Sequence, residues 1–103
     1  MDKYITTKEN LKDTVDKYGV AIIPNVLNED ECEQMVSEMW NYFEHITFEC
    51  ETPIDRNNEK SWKGIYDLFP LHSMLFQHFE VGHCQACWNL RQNQKIINIF
   101  SKI

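Results

Sequence analysis

The chain has 103 residues, enough for one small domain that buries only about two thirds of the surface its unfolded form exposes, so any core is thin. Its composition, 43% hydrophobic, 13% aromatic and 25% charged, is that of an ordinary folded domain and not of a disordered or collagen-like chain. The formal net charge is −6, and Lys and Arg are scattered singly, which argues against nucleic acid and anionic membranes as partners.

No signal for export or membrane insertion is found along the sequence. Apolar runs stay well below the roughly 18 residues that a membrane span needs, and the N-terminus lacks both a signal-peptide core and the glycine that myristoylation requires. We therefore expect the protein in the cytoplasm, or in a particle assembled there. In that reducing compartment the four cysteines are expected to be free thiols.

The first predicted element is a short amphipathic helix over residues 8–18. Its apolar positions recur at helical spacing: Leu11, Val15 and Tyr18. Thr7 is the predicted N-cap and Gly19 the predicted stop. The next segment, GVAIIP at 19–24, is short, β-branched and bounded by glycine and proline, which predicts a strand that ends or lies at a sheet edge.

A long acidic helix is predicted from Asn28 onward. Asn28 and Glu31 have the spacing of a capping box, in which each side chain accepts a hydrogen bond from the backbone N–H of the other residue. One face of the helix is apolar: Cys32, Met35, Val36, Met39, Trp40, Phe43 and Ile46. Acidic residues fill the opposite face and the first turn, where they complement the helix dipole. The helix is expected to pack on a core with its acidic face in solvent.

Beyond this helix the periodicity disappears, and residues 47–61 predict a polar, turn-rich loop. Helical spacing returns from Cys84 to the end of the chain and is interrupted near Asn93. The pattern predicts a mainly α fold with one or two short β-strands, in a single small domain over residues 1–103 or an N-terminal fragment of a larger protein.

The stretch VGHCQACWNLRQ, residues 81–92, is the densest in candidate ligands. A structural zinc site needs four ligands, and the possible complements of Cys84 and Cys87 are His83, His78 and His72. A thioredoxin-like dithiol would follow a strand in a βαβ unit, and no such unit is predicted here. Neither set is complete.

Residues 78–80, His-Phe-Glu, offer two ligands of the triad that binds non-haem iron, but no histidine from a separate strand completes it. His78 and Glu80 are therefore weak candidates. No nucleophile elbow or phosphate-binding loop is present. We predict no catalytic residue, no cofactor-binding residue and no complete metal site, and we interpret Cys84 and Cys87 as small buried apolar residues.

Two segments resemble a known protein family. Residues 18–33, YGVAIIPNVLNEDECE, and residues 88–100, WNLRQNQKIINIF, are similar to segments of phytanoyl-CoA dioxygenase-like proteins. The resemblance implies the N-terminal, mainly helical portion of an iron(II)- and 2-oxoglutarate-dependent oxygenase, without the double-stranded β-helix core. In that family the iron ligands and the basic residue that holds 2-oxoglutarate lie in the part that would follow Ile103, so none transfers to this chain. Iron(II) and 2-oxoglutarate are expected only if a catalytic core follows.

Three functional hypotheses follow from these observations. The leading one is a non-catalytic binding or structural module that keeps the helical part of an oxygenase fold and acts through protein–protein contacts. The alternative is an N-terminal fragment of a dioxygenase that hydroxylates a small or lipid-like substrate. A third is a small zinc-binding adaptor that uses Cys84 and Cys87.

The C-terminal apolar run is the predicted interface. It continues to Ile103 without a glycine stop, proline or polar cap. In the family that the chain resembles, this helix would pack on a sheet. We predict that four residues contact a partner protein or a second copy of the chain: Trp88, Ile96, Ile97 and Phe100.

Overall fold

The computed structural model describes residues 2–69, 76 and 79–103. The α-helices are α1 (Leu11–Tyr18), α2 (Glu29–Thr47), α3 (Gln85–Gln92) and α4 (Gln94–Phe100). Shorter 3₁₀ segments cover Asp2–Tyr4, Glu59–Leu68 and Val81–His83. The prediction of a mainly α fold is confirmed. Among the described residues, no helix is both long enough and apolar enough to cross a membrane.

The strand predicted over residues 19–24 is reduced to a single bridge. Ile5 and Ile22 form an isolated parallel β-bridge, in which the N–H of Ile22 donates to the carbonyl of Tyr4 at 2.7 Å and the N–H of Thr6 donates to the carbonyl of Ile22 at 2.9 Å. The segment is short because it lies between the end of α1 and Pro24, which has no N–H to donate. No named strand occurs in the part of the chain that the structure describes.

The first α-helix begins at Leu11, three residues after the predicted start. Its N-cap is Asn10 and not Thr7, and the Asn10 side chain makes no capping hydrogen bond. A turn before the helix explains the shift, because the N–H of Asn10 donates to the carbonyl of Thr7 at 3.2 Å. The predicted stop is confirmed: Gly19 has φ 73°, in the left-handed region that glycine tolerates, and its N–H donates to Val15 O at 2.7 Å.

The described chain forms two compact units, Met1–Cys32 with Leu90–Ile103, and Glu33–Asn89. In the first unit, Leu11 is buried and borders an apolar cleft of about 390 Å³. Its lining comes from α1, the segment after it, and α4: Leu11, Val15, Ala21, Ile23, Val26, Leu27, Ile96, Ile99, Phe100 and Ile103. The apolar periodicity of both helices is therefore used inside this unit.

Polar side chains fix the helix starts of the first unit. The predicted capping box is confirmed: Asn28 Oδ1 accepts from the N–H of Glu31 at 2.8 Å, and Glu31 Oε1 accepts from the N–H of Asn28 at 3.1 Å. Asn93 interrupts the C-terminal helical run as predicted. Its Oδ1 accepts from the N–H of Lys95 at 3.0 Å and from that of Ile96 at 3.4 Å, so Asn93 is the N-cap of α4.

In the second unit, the segment after α2 is held by buried polar and apolar contacts. Thr47, at the end of α2, is buried, as are Ile54 and Ser61. The backbone also approaches closely at Gly64, where a Cβ atom would lie 2.6 Å from the carbonyl oxygen of Thr52. That distance is too short for any other residue without a backbone shift, which explains the glycine at position 64.

Candidate functional site

An apolar surface on α4 contains three of the four predicted interface residues. Ile97 is 43% exposed and Phe100 is 70% exposed, whereas Ile96 is half-buried. Together with Leu90 and Arg91 they line a shallow groove of about 520 Å³. We refer to Leu90, Ile96, Ile97 and Phe100 as the α4 surface. Exposed apolar groups of this kind are typical of protein contact sites.

The fourth predicted interface residue, Trp88, belongs to the second unit. It lies on α3, is 41% exposed, and its ring centroid is 5.9 Å from that of His83. The exposed indole of Trp88 thus contacts the His83 ring within the second unit, and Trp88 is not part of the α4 surface.

The charge next to the α4 surface is neutralised within the first unit. The Lys95 ammonium donates to Glu31 Oε1, and the side chain of Asn93 donates to Glu31 Oε2 at 2.7 Å. The Lys95 contact, followed by the backbone hydrogen bond from Asn28 and the amide of Asn93, lowers the pKa of Glu31 to about 2. At neutral pH the carboxylate is therefore fully ionised and paired.

A second apolar groove lies on α2 in the second unit. Its volume is about 380 Å³, and the described residues that line it are all apolar or aromatic: Met35, Val36, Met39, Trp40, Phe43, Ile54, Trp62 and Ile65. The indole rings of Trp40 and Trp62 lie 5.1 Å apart between centroids, and the Trp62 Nε1–H donates to the carbonyl of Asp55 at 3.0 Å. The groove thus has a fixed aromatic wall.

Three sulfur atoms meet beside this groove. Cys84 Sγ lies 3.6 Å from Cys87 Sγ and 3.8 Å from the thioether sulfur of Met39. Cys87 Sγ also lies 3.4 Å from the carbonyl oxygen of Val81. Cys84 is 7% exposed and Cys87 is half-buried. We call Met39, Cys84 and Cys87 the sulfur cluster.

The backbone positions the two cysteines differently from the prediction. Cys84 is extended, with φ −66° and ψ 159°, and precedes α3, whereas Cys87 lies within the first turn of that helix. The helix that was predicted from Cys84 onward therefore begins one residue later, at Gln85. The carbonyl of Cys84 accepts from the N–H of Trp88 at 3.1 Å, as expected for an N-cap residue.

Tyr42 connects α2 to the turn before the cysteines. Its hydroxyl donates to the carbonyl of Phe79 at 2.6 Å. Phe79 and Glu80 have φ 56° and 58°, in the left-handed region that non-glycine residues seldom adopt. Burial, followed by the nearby Cys84, Glu80 and Cys87, raises the pKa of Tyr42, so the phenol stays protonated and remains a hydrogen-bond donor.

The predicted metal ligands are brought together only in part. Cys84 and Cys87 are adjacent, but across the described ranges no group of three or more His, Cys, Asp or Glu side chains could hold a metal ion, so neither His83 nor Glu80 completes a site with them. His72 and His78 lie outside the described residues. Met39 was not predicted as a site residue. It lies 45 positions from Cys84, and no spacing motif in the sequence connects two residues that far apart.

Comparison of the chain with protein-family models, with curated proteins and with solved structures finds no match. The resemblance to phytanoyl-CoA dioxygenase-like proteins therefore stays a prediction.

Proposed function

We propose that this chain is a non-catalytic binding module that acts through protein–protein contacts at the α4 surface. The supporting observation is the exposure of Ile97 and Phe100, two large apolar side chains on one short helix. Covering such side chains removes apolar area from water at about 25 cal/mol per Å², so a partner gains free energy by packing on them.

The proposed partner is a second copy of the chain. The only charged side chain on α4 is that of Lys95, and the intrachain contact with Glu31 neutralises it. Arg91, which also lines the groove, is exposed and can keep its guanidinium group in water. Two α4 surfaces can therefore approach without burying an unpaired ammonium group, which would otherwise oppose association. A two-fold arrangement that pairs the same surface on both copies is the commonest way for such chains to associate.

The test is the oligomeric state of the purified chain by sedimentation velocity over a wide concentration range. We expect a monomer–dimer equilibrium. Because a charge placed at the centre of an interface costs about 2 kcal/mol or more, Ile97→Glu and Phe100→Glu should each raise the dimer dissociation constant by about 30-fold.

The matched control is Val20→Glu. Val20 is 46% exposed in the same unit but does not belong to the α4 surface, so this substitution should leave the dissociation constant unchanged. A chain that remains monomeric at every concentration, or a dimer that Val20→Glu weakens as much as Phe100→Glu does, would contradict the proposal.

A further inference from the structure

The sulfur cluster presents only soft donor atoms. The sulfur atoms of Cys84 and Cys87 lie 3.6 Å apart, and those of Cys84 and Met39 lie 3.8 Å apart. Three sulfurs bound to one ion at about 2.3 Å each would stand about 4.0 Å apart around a trigonal centre. The Cys84–Cys87 and Cys84–Met39 separations would each need to lengthen by only about 0.2–0.4 Å to accept such an ion.

We propose that Met39, Cys84 and Cys87 form a binding site for a soft monovalent cation, Cu(I). Thiolate and thioether ligands select Cu(I), whereas structural zinc requires four ligands and favours nitrogen or further thiolates. The Met39 thioether decides the assignment. It contributes nothing to a disulfide between Cys84 and Cys87, but it supplies the third soft ligand of a trigonal ion.

The chemistry of loading is an exchange of protons for the ion. Cu(I) bonds to both thiolate sulfurs and to the thioether, and the two thiol protons leave to solvent. No electron is transferred, and the site changes from neutral to a net charge of −1. The half-buried Cys87 provides the way in, since Cys84 is only 7% exposed.

The proposed Cu(I) site and the α4 surface share no residue. Met39, Cys84 and Cys87 all belong to the second unit, whereas the residues of the α4 surface belong to the first. A chain that stays monomeric could therefore still bind Cu(I), and a chain that forms the dimer could still fail to bind it.

The test is an anaerobic titration of the reduced chain with Cu(I) in competition with a chromophoric Cu(I) chelator, bicinchoninate. We expect one tightly held Cu(I) per chain. X-ray absorption of the loaded protein should give a shell of three sulfur atoms at about 2.3 Å. The same titration with Zn(II) should show no comparable binding, because the described residues of the cluster supply three ligands and structural zinc takes four.

Variants test which sulfurs bind the ion. Met39→Leu conserves side-chain volume and should weaken Cu(I) binding by at least about 10-fold, since losing a direct ligand costs no less than losing a group that supports one. Cys87→Ser should abolish competition with the chelator. Cys50→Ser is the matched control, because Cys50 is an exposed free cysteine outside the cluster, and it should bind Cu(I) as the unsubstituted chain does.

Circular dichroism of each variant separates loss of the ion from loss of the fold. The proposal would be overturned if the reduced chain formed no one-to-one complex with Cu(I). It would also be overturned if the unsubstituted chain showed only two sulfur ligands and Met39→Leu left the Cu(I) affinity unchanged. A loss of Cu(I) affinity in the Cys50→Ser control equal to that in the cluster variants would overturn it as well. A reduced chain that closes an 84–87 disulfide with oxidised glutathione but takes no Cu(I) would also overturn it.

Discussion

Thr47 is the polar side chain on which the segment after α2 depends. It is 1% exposed. Its hydroxyl donates to the carbonyl of Phe43 at 2.7 Å and accepts from the N–H of Ile54 at 2.9 Å. One hydroxyl therefore joins the last turn of α2 to a buried amide of the following segment.

Replacing Thr47 by Val should lower the free energy of unfolding by about 1–3 kcal/mol, because the amide of Ile54 would stay buried without an acceptor. Chemical denaturation at neutral pH measures the change. Thr47→Ser, which keeps the hydroxyl, is the control and should retain most of the stability. If valine and serine cost the same, the loss comes from packing and not from the hydrogen bond.

Arg56 is held by α2 through a bidentate ion pair. Its Nε and Nη2 donate to Glu44 Oε1 at 2.9 Å and Oε2 at 2.8 Å, and its backbone N–H donates to Oε1 at 3.0 Å. Arg56 also donates to Asn41 Oδ1, and to Ser37 Oγ at 3.3 Å. The side chain of Arg56, with its backbone N–H, lowers the pKa of Glu44 from 4.5 to about 2.

Because the folded pKa of Glu44 lies below the ordinary value, this carboxylate stabilises the fold fully above about pH 4.5, and that contribution is lost as the pH falls toward 2. Glu44→Gln should therefore lower the melting temperature at pH 6, and the difference from the unsubstituted chain should vanish near pH 2. Thermal unfolding across this range measures it.

The control for the pH profile is Glu33→Gln, which removes an exposed carboxylate from the same helix. A difference between Glu44→Gln and the unsubstituted chain that does not change with pH would show that the Glu44 carboxylate acts through shape and not through its charge.

At the residue scale, interacting side chains could be predicted from the sequence only where the two residues are close along the chain. Asn28 and Glu31 are three positions apart, and their capping box was predicted correctly. Met39 and Cys84 are 45 positions apart, and Glu44 and Arg56 are 12 apart. No periodicity marks such pairs, because they depend on how the chain returns to α2.

At the element scale, the start of α2 depends on a reciprocal cap. Asn28→Ala should lower the free energy of unfolding by about 1 kcal/mol, since the N–H of Glu31 loses its acceptor. Asn28→Asp keeps an acceptor oxygen and should cost less than alanine. Denaturant midpoints of both variants provide the comparison, and a larger cost for aspartate than for alanine would contradict the capping role.

The elements that the sequence predicted well are those whose signal is local. The stop of α1 at Gly19 and the break at Asn93 follow from backbone preference and side-chain capping. The prediction of a strand at 19–24 was wrong, because pairing depends on a partner elsewhere in the chain, and within the described ranges only Ile5 bridges to this segment. The start of α1 shifted because a turn precedes Leu11.

At the scale of the whole molecule, self-association would make stability depend on concentration. If folding is coupled to dimer formation at the α4 surface, each tenfold rise in chain concentration favours the folded dimer by about 1.4 kcal/mol. The melting temperature should then rise by roughly 3–6 °C per tenfold step. Calorimetry at three concentrations measures this, and Phe100→Glu should shift the dependence to roughly 30-fold higher concentrations. An equal dependence in both proteins would place the contact elsewhere.

The paired indoles of Trp40 and Trp62 also give the second unit an optical signature. Their ring planes are inclined by 39° at a centroid separation of 5.1 Å. Two identical chromophores this close exchange excitation, and a tilted pair absorbs left- and right-handed circularly polarised light unequally. Trp40 lies on α2 and Trp62 on the 3₁₀ segment Glu59–Leu68, so this coupled signal exists only while the two segments are packed together. The protein therefore carries a built-in spectroscopic reporter of that packing, which follows the groove without any added dye.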